Sequence, residues 1–268
     1  MLTTTNQHTQ YVNELITFYL STVITELESS ASSREALSQT YETYRILEPP
    51  KPTYHSFITD NALPDEWWQA RLRLLRLLGQ TSSYDVKSIL SRLQPYEQEL
   101  VPEMIILNGR QERHEEALRL LTHGLGHYST AMNYCLYGYT SIFRPTHSPP
   151  SASSLPPSPP PRPQQSRLFT TLFHEFLRID DLSQRVDRTG ELLERFGAWL
   201  DMAHVLATLP DEWSVHVLSG YLIHSLRRLV REKAEVSVLR ALSDAQNCGV
   251  GAELVARREE GGGVVVRE

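Results

Sequence analysis

Basic charge is in short supply in this chain: 26 lysines and arginines stand against 32 aspartates and glutamates, and lysine occurs only at 51, 87 and 233. A net charge of −6 argues against a general nucleic-acid binder, whose footprint would be a basic excess. Cysteine is scarcer still. Cys135 and Cys248 cannot build a disulfide framework, so reduced intracellular thiols are the expectation. No window approaches 18 consecutive apolar residues, so no membrane span is expected, and membrane contact would be peripheral, through partners or a surface face. The N-terminus has no lysine or arginine before Arg34, unlike a signal or transit peptide. Sustained apolar–polar alternation is missing as well, and no sheet is expected.

What is there is helical periodicity. With 268 residues, 40 % apolar and 22 % charged, the chain has the composition of a soluble globular protein with enough length for a core. Leu100 to Leu136 is the most informative run. Met104, Ile105 and Leu107 form an apolar patch, and Asn108-Gly109 is expected to end that helix, since glycine accepts the positive φ of a C-cap. Ala117, Leu118, Leu121 and Leu125 then recur at spacings of three and four. Gly124 and Gly126 stop that helix, and Ala131, Cys135 and Leu136 open the next stripe. No one of these short helices can bury its own stripe, so each must lean on the next, as in stacked helical hairpins.

The same periodicity predicts helices over 11–28, 34–47, 64–78 and 84–93, with 53–62 as a connector. In the third, Trp68, Leu72, Leu75 and Leu78 face inward, and Arg71, Arg73 and Arg76 face water. Nine of the 16 prolines lie in 145–163 without one acidic residue, a composition that cannot offset its ordering entropy. Beyond it, Leu182, Val186, Thr189, Leu193, Phe196 and Leu200 mark a buried seam. Pro210 breaks the chain and Asp211 caps a long helix carrying Val215, Leu218, Leu222, Leu226 and Leu229. A last helix, 234–247, turns Val236, Leu239 and Leu242 inward. The expected architecture is all-α: an α-solenoid of stacked hairpins in two blocks, 1–144 and 167–250. A disordered Pro/Ser-rich insert at 145–166 separates them, and a flexible tail follows at 251–268.

Chemistry-bearing patterns are thin. His114-Glu115 and His174-Glu175 would need a second histidine four residues after the first to bind zinc, but Leu118 and Arg178 stand there. His123, His127 and Cys135 could share a metal only with a fourth ligand that no usual spacing supplies, and polar helix-surface residues are the plainer reading. No nucleophile elbow occurs, and Cys135 sits in an apolar stripe where a thiol packs as a small hydrophobe. Gly124-Leu125-Gly126 reads as a turn, since a phosphate loop needs a preceding strand and a following lysine. No catalytic, cofactor-binding or metal residue is therefore assigned, and the chain is expected not to be an enzyme. The candidate interaction residues are Trp67, as a rim anchor, and Arg227, Arg228 and Arg231, as a basic face toward an acidic partner or lipid. For each, core packing or a solvated helix end is the plainer alternative. The run Pro156 to Pro163 would suit a polyproline reader, and Ser148 and Ser158, each before proline, could accept phosphate. A plain spacer is the plainer reading of that run.

Four segments carry a family resemblance: VPEMIILNGRQERHEEALRLLTHGLG (Val101 to Gly126), TAMNYCL (Thr130 to Leu136), FHEFLRIDDLSQRVDRTGELLERFGAWLD (Phe173 to Asp201) and VLATLPDEWSVHVLSGYLIHSLRRLVREK (Val205 to Lys233). Their order and length resemble the TGF-β receptor-associated and vacuolar-sorting tethering subunits, the Rab-facing members of the CORVET and HOPS complexes. The resemblance implies a non-enzymatic scaffold in endosomal or vacuolar vesicle tethering and protein transport. It implies other tethering subunits and a Rab-type GTPase as partners, no nucleic acid, and a cytoplasmic location peripheral to endosome or vacuole. Relatives of this kind carry an N-terminal β-propeller and a cysteine-rich zinc module; neither pattern stands in these residues, as expected of a fragment, a truncated gene product or a shortened paralogue. His127 also stands where an aspartate is expected after the glycine. The alternative reading is a tetratricopeptide-like interaction adaptor, which predicts a 34-residue period that the chain lacks.

One consequence of the stripes is direct. Leu121→Asp or Leu193→Asp places an unpaired charge in a helix seam, which costs several kcal/mol; circular dichroism and thermal melting should show the loss.

Overall fold

The computed structural model describes residues 2–48, 50–62, 64–81, 84–138, 142, 161–210 and 212–260. Among these the regular structure is helical throughout: α1 (Leu2–Ser29), α2 (Ala31–Ile46), α3 (Tyr54–Asp60), α4 (Glu66–Gln80), α5 (Val86–Leu93), α6 (Val101–Arg110), α7 (His114–Arg119), α8 (Tyr128–Tyr137), α9 (Arg162–Leu177), α10 (Leu182–Phe196), α11 (Met202–Thr208) and α12 (Val215–Glu260). The all-α expectation holds, and no described helix is long and apolar enough to cross a membrane. The expected insert falls mostly on 145–160, outside the described residues, as do its candidate phosphoserines and Asp211. Its C-terminal end differs from expectation. Helix α9 starts at Arg162, and Gln165 Nε2 already donates to the carbonyl of Leu136 at 3.1 Å.

Two compact units divide the chain at Leu209/Pro210, not at the insert. In the first, each helix leans on neighbours: α1 on α4, α4 and α5 on α6, α6 on α7, and α7, α8 and α10 on α9. This is the stacked-hairpin logic read from the stripes. Along α1 the buried residues are Val12, Ile16, Leu20, Val23 and Leu27, a seam at spacings of four and three. Starts are capped in the usual chemistry: Ser30, Thr53, Asp85, Asp181 and Asp201 each accept from a backbone N–H in the first turn that follows, satisfying donors the helix cannot. The Thr53 cap makes a helix of α3, where the sequence suggested only a connector.

The centre of the first unit corrects another expectation. Arg71 does not face water: it is 1 % exposed and its Nε donates to Glu103 Oε1 of α6 at 3.1 Å. Its Nη2 donates to Tyr41 Oη of α2 at 2.8 Å, and that hydroxyl donates to the Glu99 carbonyl at 2.6 Å. Helix α4 buries Trp67, Ala70, Arg71 and Leu74 beside its expected stripe of Trp68, Leu72, Leu75 and Leu78, because it packs against both α1 and α6. An arc that wide takes in an arginine. Burial opposes the guanidinium's charge, but Glu103, Tyr41 and Tyr54 outweigh it and raise the pKa. Burial pushes the Tyr41 hydroxyl well up despite that neighbour.

Other departures are local. Gly109 lies inside α6, and the left-handed residue is Glu112, with φ of 61°. The turn closes because Arg113 N–H reaches the Asn108 carbonyl at 2.9 Å. On α10, Leu182 is exposed, and Thr189, Leu192 and Leu193 carry the burial, with Leu200 beyond the helix end. The second unit departs most. A single 46-residue helix, α12, replaces two helices and the first ten residues of the expected tail, whose remainder, 261–268, lies outside the described residues. Val236, Leu239 and Leu242 are 58, 65 and 57 % exposed, so the face expected inward is open.

Removing one partner of a buried ion pair strands the other charge, so Arg71→Met should cost about 3–5 kcal/mol, while Arg71→Met with Glu103→Leu should recover most of it. Denaturant unfolding of the three chains checks the ordering; equal losses in single and double variants would contradict it.

Candidate interaction surfaces

A concavity of about 1040 Å³ in the first unit lies between the end of α2, the connector that follows it, the start of α8 and the outer side of α10. Its floor is an unusual turn. After α7 the chain widens over Leu120–Gly124, with the Leu125 N–H reaching back five residues to Leu120 at 2.9 Å. Gly124 lets this turn lie close to α6, since a Cβ there would come 2.8 Å from Val101 Cγ1 and push that side chain aside. Gly126 follows at φ of +61°, where other residues are strained.

A widened turn leaves carbonyls without intrahelical partners, and two cations from the α2 side take them. Arg45 donates to the carbonyls of His123, at 3.1 Å, and Gly124, at 2.8 Å through Nε. Lys51 Nζ donates to the carbonyls of Arg45 at 2.8 Å and Gly126 at 3.3 Å. Burial, then Arg188 and Arg45, lowers the Lys51 pKa, so three cations converge at the groove. Across it, the Arg188 guanidinium covers the Tyr128 ring at 5.2 Å and donates to Glu191 at 3.2 Å. Tyr128 Oη donates to Gln184 at 3.1 Å.

The histidines have packing partners. His127, in place of the aspartate the resemblance leads one to expect, is buried with its Nδ1 2.8 Å from both Tyr44 Oη and Thr130 Oγ1, and Tyr44 also donates to the Pro52 carbonyl at 2.8 Å. His123 Nε2 lies 3.1 Å from Glu175 Oε2, tying the widened turn to α9. Cys135 is wholly buried, and burial pushes its thiol pKa up, as fits a packed hydrophobe. Among the described residues, no group of three histidine, cysteine or acidic side chains is placed to hold a metal ion. One pair escaped the sequence: His174 and His204 meet at 3.1 Å between Nε2 atoms, linking α9 and α11. Thirty residues separate them, and no local pattern announces such a meeting.

The four proposed interaction residues divide. Trp67 is buried, its ring edge-on to Trp68 at 5.3 Å, so the rim-anchor expectation is corrected: the aromatic pair belongs to the core. Arg227 and Arg231 on α12 are exposed, and Arg228 is half-buried with Glu232 3.6 Å away. From Arg231 to Arg257 every residue of α12 is exposed.

Burial, with Lys51 adding to it, lowers the His127 pKa from 6.5 to about 4. The fold therefore holds this imidazole neutral, and the unfolded chain binds the extra proton between those values. Stability is full above pH 6.5 and falls as pH drops toward 4, by about 3 kcal/mol for this group. His127→Gln should be less stable at neutral pH but should lose less between pH 7 and 4.5, as read from unfolding midpoints.

No family model and no solved structure matches the chain. In sequence the chain is similar to transforming growth factor-beta receptor-associated protein 1. The chain is 32 % identical to the Homo sapiens protein over 180 residues, 67 % of this chain and 18 % of that relative. With the Danio rerio homologue it shares 29 % over 204 residues, 74 % of this chain and 21 % of that one. With the Mus musculus protein it shares 25 % over 233 residues, 85 % and 24 % respectively. The matched part spans about a fifth of these relatives' length. The chain is thus a distant homologue of a limited part of transforming growth factor-beta receptor-associated protein 1.

Proposed function

We propose that the chain is a non-enzymatic helical scaffold in vesicle-mediated protein transport, working as a CORVET- or HOPS-like tethering subunit or as part of one. The observation that carries this reading is the match to a receptor-associated protein over 67 % of the chain, in a chain whose described structure is stacked helices. The relatives' name speaks of association with a receptor, and holding proteins is what such a fold does well: rigid helices present a wide surface at fixed spacing. The buried polar groups support the same reading. Arg71, Glu103, His127 and Glu175 bond to one another's helices or to turns between them, which fixes shape. The partners proposed are other tethering subunits and a Rab-type GTPase, at the cytoplasmic side of endosome or vacuole. The peptide-adaptor alternative draws on the groove, where Arg45, Lys51 and Arg188 converge.

Affinity purification of the tagged chain from cells tests the proposal. Core vacuolar-sorting subunits should co-purify, and Leu121→Asp, which disrupts the scaffold, should abolish their recovery. A folded chain that brings down none of them would overturn the tethering reading.

A further inference from the structure

Helix α12 is built like half of an interface. At 100° per residue, Leu226, Leu229, Val236, Leu239, Val250 and Leu254 fall within an arc of about 140°, and each is about half exposed or more. Soluble chains rarely leave so long an apolar strip to water. Local propensity does not hold the helix up either, since Gly249 and Gly251 stand inside it and each costs about 1 kcal/mol relative to alanine. The helix needs a cover.

Its charge says which cover. Over 227–240 the sequence carries Arg227, Arg228, Arg231, Lys233 and Arg240 against Glu232 and Glu235, a net +3. Over 241–260 it carries Asp244, Glu253, Glu259 and Glu260 against Arg257 and Arg258, a net −2. A parallel second copy would set like charge beside like. An antiparallel copy sets the basic half of each helix beside the acidic half of the other and opposes the two helix dipoles favourably.

We propose that α12 pairs antiparallel with α12 of a second copy of this chain, centred near Arg240, burying the Leu226–Leu254 strip of each in a two-helix interface. The shared length from 226 to 254 is about 42 Å at 1.5 Å per residue, and helices about 10–12 Å wide then bury on the order of 1,000 Å² counting both copies. That area is at the low end for specific contacts, consistent with micromolar affinity. The inference rests on α12 alone and does not need the tethering reading.

Sedimentation equilibrium of the full chain tests it. A monomer–dimer equilibrium in the micromolar range is expected, weakening as salt rises. Val236→Glu with Leu239→Glu changes exposed positions, so helicity by circular dichroism should persist while self-affinity falls at least tenfold. Arg227→Glu, Arg228→Glu and Arg231→Glu together should weaken it similarly. Orientation is read from the exposed Cys248: in Lys233→Cys, a short bifunctional thiol reagent should join residue 233 of one copy to Cys248 of the other. A monomer at high micromolar concentration, a dimer indifferent to the Val236 and Leu239 changes, or a dominant Cys248–Cys248 link would each overturn the proposal.

Discussion

One ion pair shut away from water sets the geometry of the first unit. Arg71 of α4 meets Glu103 of α6, and Tyr41 of α2 binds the same guanidinium while donating to Glu99. Two charges in a low-dielectric interior tolerate little displacement, because each must keep its partner or bear its own desolvation. Apolar stripes alone would let α2, α4 and α6 slide by a fraction of a turn at modest cost. The ion pair makes such slippage expensive. Its value is in specifying one arrangement more than in adding net stability.

From that fixed centre the constraint passes outward through the widened turn at 120–124. Widening frees backbone carbonyls, and Arg45 and Lys51 close on them from α2 and its connector. His127 completes the latch by reaching Tyr44, which also holds the Pro52 carbonyl. Tyr44 and Tyr41 lie one turn apart on α2, so the latch and the ion pair hold one face of that helix at successive turns. The groove exists because these contacts hold α2 and α8 at a set distance. Its cations are thus positioned by the fold's own polar bonds before any ligand arrives.

How much of this the sequence disclosed follows from what periodicity can encode. Leu118, Leu121, Leu125, Ala131 and Cys135 recur at helical spacing and are buried, so the helices α7 and α8 are legible, whereas the widening over Leu120–Gly124 leaves no mark in that spacing. Arg71 is not legible, because a pattern marks charged residues as outward, and only α1 and α6 together cover the flank where it sits. The His174–His204 meeting and the Tyr44–His127 bond join residues 30 and 83 positions apart, distances beyond any local spacing. The α3 helix was missed because its seven residues carry too few apolar positions to show a period, and its Thr53 cap reads equally as a turn.

On α12 the recurrence of Val236, Leu239 and Leu242 implies a covering surface, and no other described helix of its own unit supplies one. Periodicity reports that a face must be buried, never by which molecule. The first unit answers its own stripes, because consecutive short helices double back on one another. A 46-residue helix with no break runs about 69 Å along one direction, too far for short neighbours to follow. A length that defeats intramolecular packing is the property that suits a helix to pair with another as long as itself.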